Sequence, residues 1–236
     1  MKLGRKPPRV DHKVFKLSSF LKIIPPAPAK VSYIPPKVKW GVMLNDRLGD
    51  CAIAAPGHII QAQTGLSGNE FVATDAEILA AYKAVSGYDG TGATDSGCNM
   101  QDVLDYWRKT GIAGHKILAY ARVDIKNPAE VRYACYAMGG LYLGVNLPTE
   151  WEGAKVWGLP KPPVNIAGGH AITALQFDSK QLTVITWGKE IPLLWEAWHP
   201  YVEEAWAIFS PDWVTGVKLA PNGLNMAAVQ KALSLL

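Results

Sequence analysis

Between residues 51 and 140 apolar side chains recur at helical spacing, whereas after Gly139-Gly140 they come in short β-branched and aromatic runs. This change of period restricts the chain to an α+β fold with helices first and strands second. Thr74-Asp75-Ala76-Glu77 forms a capping box ahead of Ile78, Leu79, Tyr82 and Val85, with Gly87 placed to end the helix. Asn99 is expected to cap a second helix through Val103, Leu104 and Trp107, and Asn127-Pro128 to start a third that stops at Gly139-Gly140. The expected strands are 141–146, 171–177, 182–187 and 205–209, with a hairpin turn at Asp178-Ser179-Lys180-Gln181. Met226, Val229, Leu233 and Leu236 share one helical face and predict a docked terminal helix over 216–236.

Residues 1–40 read differently. Seven prolines fix φ and remove amide donors, so the segment is expected to be an extended arm. Its apolar residues, among them Val14, Phe15, Leu17 and Phe20, predict that it lies against its own body or a partner. The first 30 residues hold eight of the 24 Lys and Arg, so the net charge of +4 belongs to the arm. A basic arm suits an acidic protein surface or a place in an assembly; no nucleic-acid-binding aromatic motif accompanies it, and nucleic acid is not expected. The longest uncharged stretch, Tyr133–Thr149, is broken by Gly139 and Gly140 and ends at Pro148, too short to span a bilayer. The start, MKLGRKPPRVDHK, has no apolar run behind its charges and does not read as a secretory signal. Three cysteines, Cys51, Cys98 and Cys135, leave at least one unpaired and lack zinc-ligand spacing, which fits a reducing, cytoplasmic compartment or a virion-associated protein.

Chemistry concentrates in two segments. In Asn45-Asp46-Arg47-Leu48-Gly49-Asp50-Cys51 a turn leads into a small-residue helix, with Asp50 as the expected N-cap and Cys51 in the first turn. The helix N-terminus favours thiolate over thiol, predicting a Cys51 pKa below the free value of about 8.5. In Gly168-Gly169-His170, His170 opens a strand, where a base can project from a rigid element. A buried small hydrophobe remains the alternative for Cys51, and a structural role the alternative for His170. His58 lies two turns beyond Cys51, about 10 Å by helix rise, and is read as packing. Trp195, Trp198, Tyr201, Trp206 and Trp213 are read as core rather than as a ligand groove.

These motifs resemble, in order, those of the papain-like cysteine peptidases. LNDRLGDCAIAA resembles the nucleophile segment, SGCNMQDVLDYW the Gly-Cys-Asn segment ahead of a helix, GGHAITALQFD the histidine strand, and TVITWG the asparagine-to-Trp-Gly segment. The chain also resembles uncharacterised bacterial and phage proteins with the same GDC and GGHA pairing. The resemblance implies a helical lobe, 41–120, carrying Cys51, and an antiparallel, barrel-like β lobe, 121–215, carrying His170, with a cleft between. It implies Cys51 as nucleophile, His170 as general base and acid, and Asn45 in place of the oxyanion-hole glutamine, without metal or cofactor. A peptide or protein would be the substrate.

Three departures stand out. Ile185 occupies the position of the asparagine that orients the histidine, so an active site needs another acceptor, such as Thr186 brought round by a bulge, or a main-chain carbonyl. Pro56 should kink the nucleophile helix. Leu48 replaces the half-cystine partner of Cys98, which is therefore expected to be a free thiol. Two readings follow: a thiol hydrolase, or a catalytically silent protein attached to an assembly through residues 1–40.

Overall fold

The computed structural model describes residues 1–9, 14–19, 23–214 and 220–223. The expected C-terminal helix over 216–236 lies almost wholly outside the described residues. Three helices, α1 (Cys51–Leu66), α2 (Asp75–Ser86) and α3 (Met100–Lys109), precede most of the sheet, and α4 (Pro128–Met138) lies between its strands in sequence. The strands are β1 (Val31–Ser32), β2 (Ala119–Val123), β3 (Leu141–Pro148), β4 (Ile166–Phe177), β5 (Gln181–Thr186), β6 (Lys189–Leu194) and β7 (Val202–Phe209). They form one antiparallel sheet in the order β2-β7-β3-β4-β5-β6, with β1 also on β4. The sheet is open, with β2 and β6 at its ends, rather than the closed barrel suggested by a barrel-like lobe.

The local signals act as read. Thr74 and Glu77 complete their reciprocal capping box, Gly87 takes the left-handed conformation that ends α2, and Asn127 accepts from Ala129 and Glu130 N–H to start α4. Asp50 stands at the N-cap of α1, but its side chain does not cap. Pro56 lies inside α1, which runs through it unbroken. The carbonyl of Ala52, which Pro56 cannot serve, accepts the Tyr142 hydroxyl at 2.7 Å.

Alternation along the strands separates two cores. Tyr142, Ala171, Trp206 and Ile208 face α1–α3, with Ile53, Ile78 and Trp107. Leu141, Leu143, Ile172, Ala174, Ala205 and Ala207 face α4 together with Val131 and Trp213. The start of α1 is thereby held beside the middle of β4. Of the five aromatics read as core, Trp198, Trp206 and Trp213 are buried, while Trp195 and Tyr201 pack partly buried against them.

The arm folds back on its own chain at residues 2–6 and again at residues 31–33. Val31 and Ser32 pair with Phe177 and Gln176, and Tyr33 N–H donates to Leu175 O at 2.9 Å. Residues 2–6 run between the helices and the sheet, across the cleft expected to be open.

Candidate active site

Cys51 begins α1, and the Ala171 N–H donates to its Sγ at 3.4 Å, so the backbone of the histidine strand lies alongside the thiol. His170, the preceding residue, is fully buried. Its Nε2 is 2.7 Å from Thr186 Oγ1, and its ring stacks on Trp187 with centroids 4.4 Å apart and planes 19° apart. With Nε2–H donating to Thr186, the lone pair falls on Nδ1, which is buried and has no hydrogen-bond partner among the described residues. The Cys51 thiol thus touches the backbone that follows His170, and no hydrogen bond joins the thiol to the imidazole in this closed state.

A register slip brings Thr186 to the ring. Thr173 pairs with Ile185, yet Gln176 pairs with Thr183, so β4 carries one extra residue between Ala174 and Gln176. Continuing the pairing sets Thr186 opposite Ile172, on the same side of the sheet as His170. Without the extra residue it would fall opposite Thr173, on the other side. Ile185 instead packs with Ala62 and Leu175, away from the imidazole. Trp187 reaches the ring because Trp187-Gly188 is a tight turn with φ of 49° and 70° at the two residues, joining β5 to β6. Left-handed backbone is rare for a bulky residue and marks a side chain held in place.

Asn45 Nδ2 donates to Lys2 O at 3.2 Å, Leu48 O at 3.1 Å and Asp50 Oδ1 at 3.1 Å. The oxyanion-hole candidate therefore lies beside the helix start, and one of its acceptors is a carbonyl of the arm. Four further backbone bonds hold that arm. Lys2 N–H donates to Asn45 O at 3.0 Å, Cys98 N–H to Gly4 O at 2.8 Å, Lys6 N–H to Cys98 O at 2.8 Å, and Arg5 N–H to Gly169 O at 3.1 Å. The Gly4 amide faces the Cys51 thiol.

Burial decides the protonation states. The Cys51 thiol is pushed up to about 11, because desolvation outweighs the Ala171 and Gly4 amides, and Asp50 adds to the rise. This overturns the expected acidic thiol: the amides that favour the thiolate come from the strand and the arm, and loss of water outweighs them. His170 is held down to about 3 by burial and then by the Arg5 charge. In this closed state both groups are neutral, a thiol and an imidazole. Asp50, next to Cys51, is itself raised to about 8 by burial, with one carboxylate oxygen unpartnered among the described residues.

His58 Nε2–H donates to Gly41 O at 2.9 Å, and the ring packs edge-on to Trp40, the packing role read for it. Cys51, Cys98 and Cys135 are all free and buried. Among the described residues no group of three or more His, Cys, Asp and Glu side chains is placed to hold a metal ion, and no helix is long and apolar enough to cross a membrane. Sequence reasoning missed Arg5, whose buried side chain sits beside this site; a lone arginine in a basic arm carries no local signal of burial.

No protein-family model matches the chain, and no curated protein sequence does. Solved structures do match. Xylellain, a cysteine protease from Xylella fastidiosa, superposes with a TM-score of 0.71 at 17% identity, over 88% of this chain and 96% of its own. Procathepsin B S9 from Trypanosoma congolense gives 0.64 at 10% identity over 89% and 87%, and bromelain from Ananas comosus, in complex with E64, 0.55 at 13% over 78% and 99%. The chain has the papain-like fold.

Proposed function

We propose that the chain is a papain-like thiol hydrolase acting on peptide amides, kept latent by its own residues 2–6. The observation that carries this reading is the state of His170. Thr186 and Trp187 orient its ring, and the next residue along the strand, Ala171, donates its N–H to the helix-start thiol. Buried His58, in its packing role, also leaves Nδ1 without a partner, so what sets His170 apart is the Thr186 and Trp187 clamp on a residue whose neighbour's amide bonds the Cys51 thiol.

In the proposed mechanism the arm leaves, water enters, and the desolvation that raises the Cys51 pKa is relieved. The thiol proton passes to His170 Nδ1 as Sγ attacks the substrate carbonyl carbon. Asn45 Nδ2 stabilises the oxyanion at the place now taken by the Lys2 carbonyl. His170 then protonates the leaving amine, and water releases the acyl group from Sγ. Thr186 and Trp187 are positioning residues.

At Gly4 the arm offers the thiol an amide N–H rather than its carbonyl. Gly4 N–H faces Cys51, while Gly4 C=O is turned to Cys98 N–H.

The silent-scaffold reading draws on the missing Cys51–His170 hydrogen bond. Hydrolysis of a broad fluorogenic peptide library under reducing conditions separates the two. Turnover by Gly4→Ala, which should loosen the arm, that vanishes in Gly4→Ala/Cys51→Ala is the expected result. No turnover in either variant across the library would overturn the hydrolase reading.

A further inference from the structure

The side chain of Arg5 fills a pocket that is more elaborate than an anchor for an arm requires. Its Nη1 donates to Glu204 Oε1 at 3.1 Å, and its Nη2 donates to Val145 O at 3.2 Å and Asn146 Oδ1 at 3.1 Å and is paired with the Glu203 carboxylate. Asn146 and Trp206 hold the acceptors in turn: Asn146 Nδ2 donates to Glu203 at 2.6 Å and Trp206 Nε1 to Glu204 at 2.9 Å. Four acceptors from two adjacent strands therefore converge on one planar cation, the geometry that favours guanidinium over ammonium.

Two backbone features build this pocket. Gly144 pairs with Glu204 but Val145 pairs with Val202, so Glu203 is an extra residue in β7. Neighbouring strand residues point to opposite faces, and the bulge lets both Glu203 and Glu204 reach the same group. Gly144 clears the channel: a Cβ there would stand 2.7 Å from both Arg5 Cδ and Glu204 Cγ. Glu203 also lines a groove of about 500 Å³ with Lys16, Arg122 and Asp124, which opens the carboxylate end to solvent. The pocket adjoins the reacting groups, since Arg5 follows the residue facing Cys51 and bonds to the residue before His170.

We propose that this pocket is the specificity pocket of the hydrolase site, selecting peptides that place an arginine side chain between Glu203 and Glu204 once residues 2–6 have left. The inference rests on the hydrolase reading for its function, but not for its binding chemistry.

The test uses the full chain carrying Arg5→Ala, with Arg5→Lys as a second variant should the first fail to fold by circular dichroism. The probes are N-acetyl-Gly-Arg-amide and the same compound with lysine, norleucine or glutamate in place of arginine. Affinity is read by calorimetry, and hydrolysis by a fluorogenic library with arginine or leucine at each position. Arginine binding at least tenfold tighter than norleucine, with the preference lost on adding Glu203→Gln/Glu204→Gln, is the expected outcome. Equal affinity for arginine and norleucine, or turnover that favours leucine throughout, would overturn the pocket and leave the hydrolase reading standing. Arginine-selective binding with no turnover would uphold the pocket and remove the hydrolase reading.

Discussion

Gly4→Ala adds one methyl group to the arm and changes no residue of the site, yet the structure leaves no room for it. The new Cβ would stand 1.8 Å from Gly49 O and 2.3 Å from Gly49 C. Both obstacles are backbone, so the arm must lift by about 1.5 Å to reach ordinary contact. That displacement breaks the two 2.8 Å bonds flanking the site, Cys98 N–H to Gly4 O and Lys6 N–H to Cys98 O. At about 1 kcal/mol each the closed state loses about 2 kcal/mol, which raises the open population roughly thirtyfold. The assay is iodoacetamide labelling of the native protein, resolved by mass spectrometry. Cys51 should label about thirtyfold faster in Gly4→Ala, while Cys135, buried on α4 against Ala174 O, should not change. Unchanged Cys51 labelling in a folded variant would show that residues 2–6 are not what covers the thiol. An equal rise at Cys135 would mean that the substitution loosens the whole chain.

Two further predictions follow from the same geometry. Thr186→Val removes the hydroxyl 2.7 Å from His170 Nε2 while keeping the shape, and should lower kcat about 100-fold with KM little changed; a KM effect alone would mean that Thr186 does not orient the imidazole. The second concerns alkaline pH: because the closed-state thiol is pushed up to about 11 against about 8.5 when free, the stability it contributes is full below 8.5 and falls by about 1.4 kcal/mol per pH unit from there until pH reaches about 11. Wild-type Cys51 labelling through the open state should therefore keep rising in proportion past pH 8.5, and a plateau there, as in a free thiol, would contradict burial by the arm.

What was legible in the sequence is what depends on neighbours along the chain. The capping box at Thr74, the Asn127-Pro128 start and the glycine stops each act within one helical turn, and they survive folding because nothing in the core opposes them. Edge elements were harder. Strand β2 reads as the mixed run Ala119–Val123, and β6 contains Pro192; each is a strand only because a neighbour completes its hydrogen bonds. In the site, Cys51 and His170 were visible as residue types in context, while Thr186 depended on a slip at Leu175 that has no local marker. The pKa of Cys51 was misjudged because a helix terminus can be read from sequence, whereas the arm that excludes water comes from 45 or more positions away.

The narrowness of the cleft and the chemistry of the arm fit each other at successive residues. A Cβ on Gly97 would meet Gly4 O at 1.9 Å, and one on Gly169 would meet Arg5 O at 2.2 Å, so the walls admit bare backbone at Gly4 and little more at Arg5. For the Arg5 side chain the constraint inverts: beyond Gly144 lies a space the length of an arginine, ending in two carboxylates. Burying Glu204 without a cation would be costly, and burial does raise its pKa, with Arg5 and Trp206 offsetting the rise. When the arm leaves, that site loses its countercharge and becomes an acidic pocket beside the thiol. The group that locks the closed state thus leaves behind the electrostatic demand that a substrate must meet, which links the latency of the site to its selectivity through the same two glutamates.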